Sequence, residues 1–424
     1  MHDVHEPERL TTRFDMKRMI RRHAVRSLAL GTALVALNAG FATAQEAPEH
    51  TYYVYVGAES ADLMHRIAWG PDGATVHQTT PVGEIAVETE GPHGFNTSRN
   101  GEYIYMTTGH GVPDGKLWKY HAGPDTLVGE PTLLGWFPAT VDLTPDGLYA
   151  FVANFNLHGE MVPSTVSVVY TPDMIEVDQI ETCVMPHGLR MAPDGLHAWS
   201  NCMMNDVTVE IDTRTFEVSR MFSVIPGEEG PIDLPHRMSD GMADHMQSMD
   251  HENMSMDDMA MGDGMMEHGG LPMSNVCSPT WAEPSVDGSR LYVACNKADH
   301  IIEFDVESGE MLRRFEAGRA PYNLDVTPDG RLLVATLKGG AAVEFFSLET
   351  GESLATTPST TTVTHGLVIS PDSRYAFVSV EGVGAEPGKV DIYDLRTFER
   401  VADVEVGQQA GGITFWRMET PEGD

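Results

Sequence analysis

Downstream of residue 50 the chain alternates apolar and polar positions in short runs, each closed by Gly, Asp or Pro. Alternation of period two between turn formers predicts half-buried β-strands. One unit recurs: a short apolar strand, a Pro-Asp-Gly type turn, and a second strand ending near Val-Ala-Asn. Its copies are PHGFNTSRNGEYIYMTT from Pro92, PATVDLTPDGLYAFVAN from Pro138, PHGLRMAPDGLHAWSNC from Pro186, PTWAEPSVDGSRLYVAC from Pro279, PYNLDVTPDGRLLVATL from Pro321 and THGLVISPDSRYAFVSV from Thr364. Uninterrupted copies start 46, 48, 42 and 43 residues apart, and a further unit opens at Ala410, 46 residues after Thr364, whereas Pro186 and Pro279 are 93 apart. Each copy runs on into further alternating segments, such as HIIEFDVESG and MLRRFEAG after Pro279. Four short strands per unit of about 45 residues is the pattern of a propeller blade.

Six units are complete, and a seventh begins with AGGITFWRM at Ala410. Its missing strands are TYYVYVGAE, LMHRIAWG and TVHQTTPVG near the start of the repeat region. The expected fold is therefore all-β, a seven-bladed β-propeller whose ring is closed by the C-terminal strand pairing with the N-terminal ones, which leaves no open sheet edge. The turn-and-strand pairs Thr144-Pro145-Asp146-Gly147 with Phe151-Val152-Ala153-Asn154, and Ser285-Val286-Asp287-Gly288 with Leu291-Tyr292-Val293-Ala294-Cys295, resemble the YVTN family of seven-bladed propellers. That resemblance covers nearly all of the chain after residue 44 except 222–276. It implies the fold and leaves the activity open, because scaffolds, lactone hydrolases and copper enzymes share this architecture.

Charge and the N-terminus narrow the setting. Lys17, Arg18, Arg21, Arg22 and Arg26 precede an apolar run over 27–41, and Ala42-Thr43-Ala44 follows. This is the layout of a secretory signal peptide over 1–44, with 45–424 as one propeller domain. Arg21 and Arg22 carry a trace of the twin-arginine pattern, so the route of export stays open. The expected location is periplasmic or secreted, with no membrane span after cleavage. A formal net charge of −36 argues against nucleic acid as a partner and favours cations.

Residues 226–275 interrupt the repeat and read as a flexible Met/His/Asp-rich insertion between blades. From His236 to Met273 they hold eleven of the chain's 25 methionines. Thioether sulfur selects Cu(I), and imidazole also suits Cu(II). Copper is accordingly the expected metal. His245, Met246, Met249, His251, Met254, Met256, Met259, Met261, Met265, Met266 and His268 are its candidate ligands in the insertion. A plain acidic insertion is the competing reading, although disorder by itself does not enrich methionine.

The repeat supplies a second candidate site. The second residue of the first strand is His93, Ala139, His187, Thr280, Tyr322, His365 and Gly411 in successive blades. With the blade closed by Ala410 as blade 1, the histidines stand on blades 2, 4 and 7, each followed by Gly. First strands line a propeller's channel, so His93, His187 and His365 are expected at one height around the axis, as metal ligands or as strand caps. Cys183, Cys202, Cys277 and Cys295 fall at matching places in two blades. Two intrablade disulfides, Cys183–Cys202 and Cys277–Cys295, are the simplest arrangement for an exported protein. A Cys202–Cys277 link, and thiolate ligation of copper beside His187, Met203 and Met204, remain open. The insertion, the histidines and the cysteines should share one face.

Asp146, Asp194, Asp287 and Asp329 are turn residues rather than catalysts. Glu283 and Glu381 are candidate general bases near the histidines. Trp281, Tyr322 and Trp416 read as channel packing. No phosphate-binding Gly-rich loop and no Cys-x-x-Cys-His motif occurs, so neither nucleotide nor attached haem is expected. The expected function is periplasmic copper handling or delivery, with a periplasmic redox or copper protein as partner. A copper-dependent oxidoreductase or hydrolase using the channel histidines, and a non-catalytic interaction scaffold, are the alternatives.

Overall fold

The computed structural model describes residues 47–84, 87–110, 115–234 and 271–420. Seven antiparallel sheets follow one another along the chain. Blade 1 is ordered Gly73–Pro81, Leu63–Gly70, Thr51–Ala58 and Ala410–Glu419, so the C-terminal strand is its innermost strand. The closing register places Tyr52 opposite Met418, Val54 opposite Phe415 and Val56 opposite Ile413. The expected fold and its closure are both present.

Every pair of neighbouring blades shares one apolar core. Tyr52, Ile67, Phe377 and Ile392 join blades 1 and 7, and Phe151, Val168, Leu189 and Ala198 join blades 3 and 4. The other five contacts are built alike. Alternation therefore buries both faces of each sheet against the next. Between first and second strands, Asp146, Asp194, Asp287 and Asp329 accept hydrogen bonds from nearby amides or hydroxyls, as turn residues do.

The inner strands share one irregularity that builds the channel mouth. In all seven blades the pairing of first and second strands slips within the first four residues, for example between Pro92 and Phe95 and between Pro186 and Leu189. Immediately before each inner strand the backbone turns left-handed, at Gly91, Phe137, Met185, Ser278, Ala320, Val363 and Gln409. The bulge re-aims the second residue of the strand, which is the histidine column.

The two disulfides are Cys183–Cys202 and Cys277–Cys295, and no described cysteine is free. The first departs from expectation. Cys183 lies on Ile175–Val184, the outermost strand of blade 3, while Cys202 ends the second strand of blade 4. That bond staples two blades, because the outer strand of blade 3 runs on almost to Pro186. With all four sulfurs in disulfides, thiolate ligation of copper and the Cys202–Cys277 link both fall away.

Both ends of 226–275 are built into blade 4. Gly230–Ile232 adds a fifth strand, and Ser274 bridges to Asn205. The candidate ligands His245, Met246, Met249, His251, Met254, Met256, Met259, Met261, Met265, Met266 and His268 lie outside the described residues.

Candidate metal centre

His93, His187 and His365 meet at the channel mouth. The His93 ring centre is 6.3 Å from that of His187 and 5.7 Å from that of His365. All three are buried. Their placement rests on a contact repeated between blades. Nδ1 of His93 lies 2.8 Å from the carbonyl oxygen of Ala139, and Nδ1 of His187 lies 2.9 Å from that of Thr280. Each carbonyl belongs to the same repeat column one inner strand further round the ring. An imidazole donating through Nδ1 keeps its Nε2 unprotonated, the tautomer that metal-ligating histidines adopt; at His187 that nitrogen accepts from the Tyr322 hydroxyl. Nδ1 of His365 faces the equivalent carbonyl of Gly411, which also accepts from the Ser379 hydroxyl.

The glycine after each histidine is explained by the same carbonyl. A Cβ at Gly94 would stand 2.7 Å from the Ala139 oxygen, at Gly188 2.3 Å from that of Thr280, and at Gly366 2.8 Å from that of Gly411. The His-Gly pair is therefore an inter-blade latch, with the missing side chain admitting the group that the imidazole holds.

Each Nε2 meets a different polar group. Tyr322 Oη is 3.0 Å from Nε2 of His187. Glu381 Oε1 is 3.6 Å from Nε2 of His365 and 3.1 Å from the Lys338 ammonium. Glu59 Oε1 is 3.9 Å from Nε2 of His93, and its other oxygen accepts from Gln409 and faces His110 at 3.1 Å. Burial drives the His187 pKa down to about 3, helped by the nearby His93, and burial likewise holds His365 well below the usual range. Both rings are neutral at neutral pH, the form that binds metals. Burial raises Glu381 more than Lys338 lowers it. For Lys338 burial acts downward, but Tyr322 and Glu381 outweigh it and the net shift is upward.

Rings gripping one tetrahedral ion at an N–metal distance of about 2.0 Å stand roughly 5 Å apart. The observed spacings are wider. Among the described residues, no group of three or more His, Cys, Asp or Glu is arranged to hold a metal as it stands. Beneath the imidazoles is an axial cavity of about 30 Å³, also lined by Arg190, Trp281 and Asn323.

Several placements correct the sequence reading. Tyr322 is a hydrogen-bonding member of the mouth rather than packing. Glu283 is not beside the histidines. It sits three residues further along its strand, in a cavity of about 410 Å³ with Arg190, Asp142 and Asp325. There it accepts from Arg190 Nε at 2.9 Å, while the guanidinium stacks on Trp281 at 4.5 Å. Burial raises Glu283 to about 8 and Asp325 to about 6. Trp416 leaves the channel and packs between blades 1 and 2, over Arg66 at 5.3 Å, with its ring nitrogen donating to Gly101.

The sequence reading also missed a column. The residue just past each second strand is Glu59, Gly109, Phe155, Met203, Asn296, Lys338 and Glu381. Three of these, Glu59, Lys338 and Glu381, form the polar edge of the mouth. The signal is present in the repeats, because the position lies at a fixed distance from the histidine column's partner strand in every blade.

The family model for YNCE-like β-propellers matches residues 143–412. The chain belongs to the YNCE-like β-propeller family. Among solved structures, this YNCE-like propeller is similar to hydrazine synthase of Kuenenia stuttgartiensis, with 18% identity and a TM-score of 0.55 over 78% of this chain and 92% of that one. It is also similar to a putative 6-phosphogluconolactonase of Bacteroides fragilis, with 14% identity and a TM-score of 0.58 over 86% of this chain and 98% of that one. A functionally unknown protein of Desulfotomaculum acetoxidans matches with 12% identity, the same TM-score of 0.58, and the same coverage of 86% and 98%. Identity at this level speaks to the fold alone. No curated protein matches the chain.

Proposed function

We propose that this YNCE-like propeller is exported and binds copper, with His93, His187 and His365 as the holding site and the Met/His-rich insertion as the capturing segment. Residues 1–44 are then its signal peptide, and a periplasmic redox or copper protein is its partner. The observation that carries the reading is the histidine column itself. Three buried imidazoles come from one repeat position, and His93 stands beside each of the other two. Two are latched through Nδ1, and burial keeps His187 and His365 uncharged. A shared ion would require an inward movement of the rings and release of the Tyr322 hydroxyl from Nε2 of His187. The disulfides and the absence, among the described residues, of a helix long and apolar enough to cross a membrane are compatible with export.

Copper content and Cu(I) and Cu(II) titration of the purified protein test this, comparing wild type with the His93→Ala/His187→Ala/His365→Ala variant. The expected result is the loss of one tightly bound copper in the variant while the insertion continues to take up Cu(I). Equal copper uptake by both proteins would remove the mouth as the site, and no uptake by wild type would end the copper reading.

A further inference from the structure

A separate group of methionines lies on the described rim of blade 4, outside the insertion's candidate ligands. Met185 is the left-handed residue immediately before the His187 strand. Met203 occupies the column that places Glu59, Lys338 and Glu381 against the imidazoles in other blades. The backbone amide of Met203 donates to the Met185 carbonyl at 3.2 Å, and both side chains pack on Phe137, Ala139 and Phe155. Phe155 in turn stands edge-on to His187, with ring centres 4.9 Å apart. Met204 and Met273 continue the group outward. The Met204 sulfur accepts from Asn275 Nδ2 at 3.6 Å and the Met273 sulfur from Asn205 Nδ2 at 4.0 Å. All four side chains are partly exposed, unlike Met64 and Met106, which are fully buried packing residues.

The disulfide Cys183–Cys202 holds these segments in place, since Cys183 is two residues from Met185 and Cys202 adjoins Met203. A covalent staple between blades thus holds the backbone from which these flexible thioethers project. Met273 lies at the end of the insertion, and Met203 beside the mouth.

We propose that Met185, Met203, Met204 and Met273 form a second, thioether-only site for a soft monovalent ion, Cu(I), on the path from the insertion to His187. Thioethers without imidazole or carboxylate favour Cu(I) over harder divalent ions. The rim site rests on the copper reading for its role, but it is separable from the mouth in experiment.

Ag(I) is a soft, redox-inert probe that leaves the disulfides intact. The full chain labelled with ¹³C at the methionine methyl groups would be titrated with Ag(I), and the rim resonances assigned by Met→Leu substitution. The expected result is that the methyl signals of Met185, Met203, Met204 and Met273 shift together, while Met64 and Met106 stay fixed. Met203→Leu/Met204→Leu should also lower the bound Ag(I) by one equivalent. Stationary rim signals while insertion methyls shift would overturn the proposal. In the His93→Ala/His187→Ala/His365→Ala variant the same rim shifts are expected. Their persistence supports the rim site even where the mouth binds nothing, and their disappearance there would show that the methionines do not form a site of their own.

Discussion

At the scale of the residue, the His-Gly latch combines two demands in two adjacent positions. Gly188 is the tightest of the three, because a Cβ there would meet the Thr280 oxygen at 2.3 Å and the Trp281 Cα at 2.8 Å. Backbone atoms on neighbouring blades have little room to yield. Gly188→Ala is expected to cost about 1–3 kcal/mol of stability, as overpacking does, and urea unfolding would measure it. An unchanged midpoint would show that the blades are not in this register. The latch also has a pH signature. The folded-state pKa of His187 lies below its ordinary 6.5, at about 3. Above pH 6.5 both folded and unfolded chains hold this histidine neutral, so it adds no pH dependence. As pH falls through 6.5 the unfolded chain takes up a proton that the folded chain refuses until about pH 3. Stability therefore falls across that window, by roughly 1.4 kcal/mol per pH unit. Glu283 has the opposite sign. Its raised pKa contributes stability at low pH that is lost as pH rises through about 8. Comparing wild type with His187→Gln cancels such common terms. Between pH 7 and pH 5 wild type should lose about 2 kcal/mol relative to the variant. A constant difference would mean that His187 is accessible to protons in the folded protein.

At the scale of the element, the two disulfides close loops of nearly equal length, with sequence separations of 19 and 18. Chain entropy gives each about 3 kcal/mol. What differs is where they act. Cys183–Cys202 ties the outer strand of blade 3 to blade 4, whereas Cys277–Cys295 ties the entry to blade 5 to that blade's second strand. Cys183→Ser/Cys202→Ser should speed hydrogen exchange in both Ile175–Val184 and His197–Cys202. The other pair should speed it only around blade 5. Faster exchange confined to blade 4 in the first variant would contradict the inter-blade staple. These elements also mark what the sequence discloses. Strand order and blade count were legible because Pro-Asp-Gly turns and period-two alternation are local signals. The histidine column was legible because one residue type repeats at one register. The left-handed entry was hidden in six of the seven blades, since Phe137, Met185, Ser278, Ala320, Val363 and Gln409 are not glycine and tertiary packing imposes the conformation. The blade to which Cys183 belongs is not legible, because nothing local ends the strand Ile175–Val184 before Val184. Glu59, Lys338 and Glu381 were hidden for a different reason. Lys338 differs in type and charge from the two glutamates, the other four blades carry Gly, Phe, Met and Asn there, and only the shared distance past a second strand reveals them as one column.

At the scale of the whole molecule, the ring exists only when its two ends have met. Blade 1 takes three strands from one end of the repeat region and its inner strand, Ala410–Glu419, from the other. That strand covers the edge of Thr51–Ala58, contributes Ile413 to the core between blades 1 and 7, and sends Trp416 to the seam between blades 1 and 2. Gly412 must also admit the His93 carbonyl, which a Cβ would meet at 1.8 Å. Closure is therefore coupled directly to the histidine mouth. Pairings so distant in sequence form late and after a large loss of chain entropy. A chain ending at residue 409 would expose the full edge of Thr51–Ala58, an apolar template for association. The expected result is loss of the single cooperative unfolding transition together with concentration-dependent association, read by circular dichroism and sedimentation. A peptide spanning 410–420 added in trans should restore the cooperative transition by completing blade 1. If the shortened chain instead stays monomeric and melts cooperatively at the wild-type temperature, the ring does not depend on this seam, and the mouth is held by the remaining blades alone.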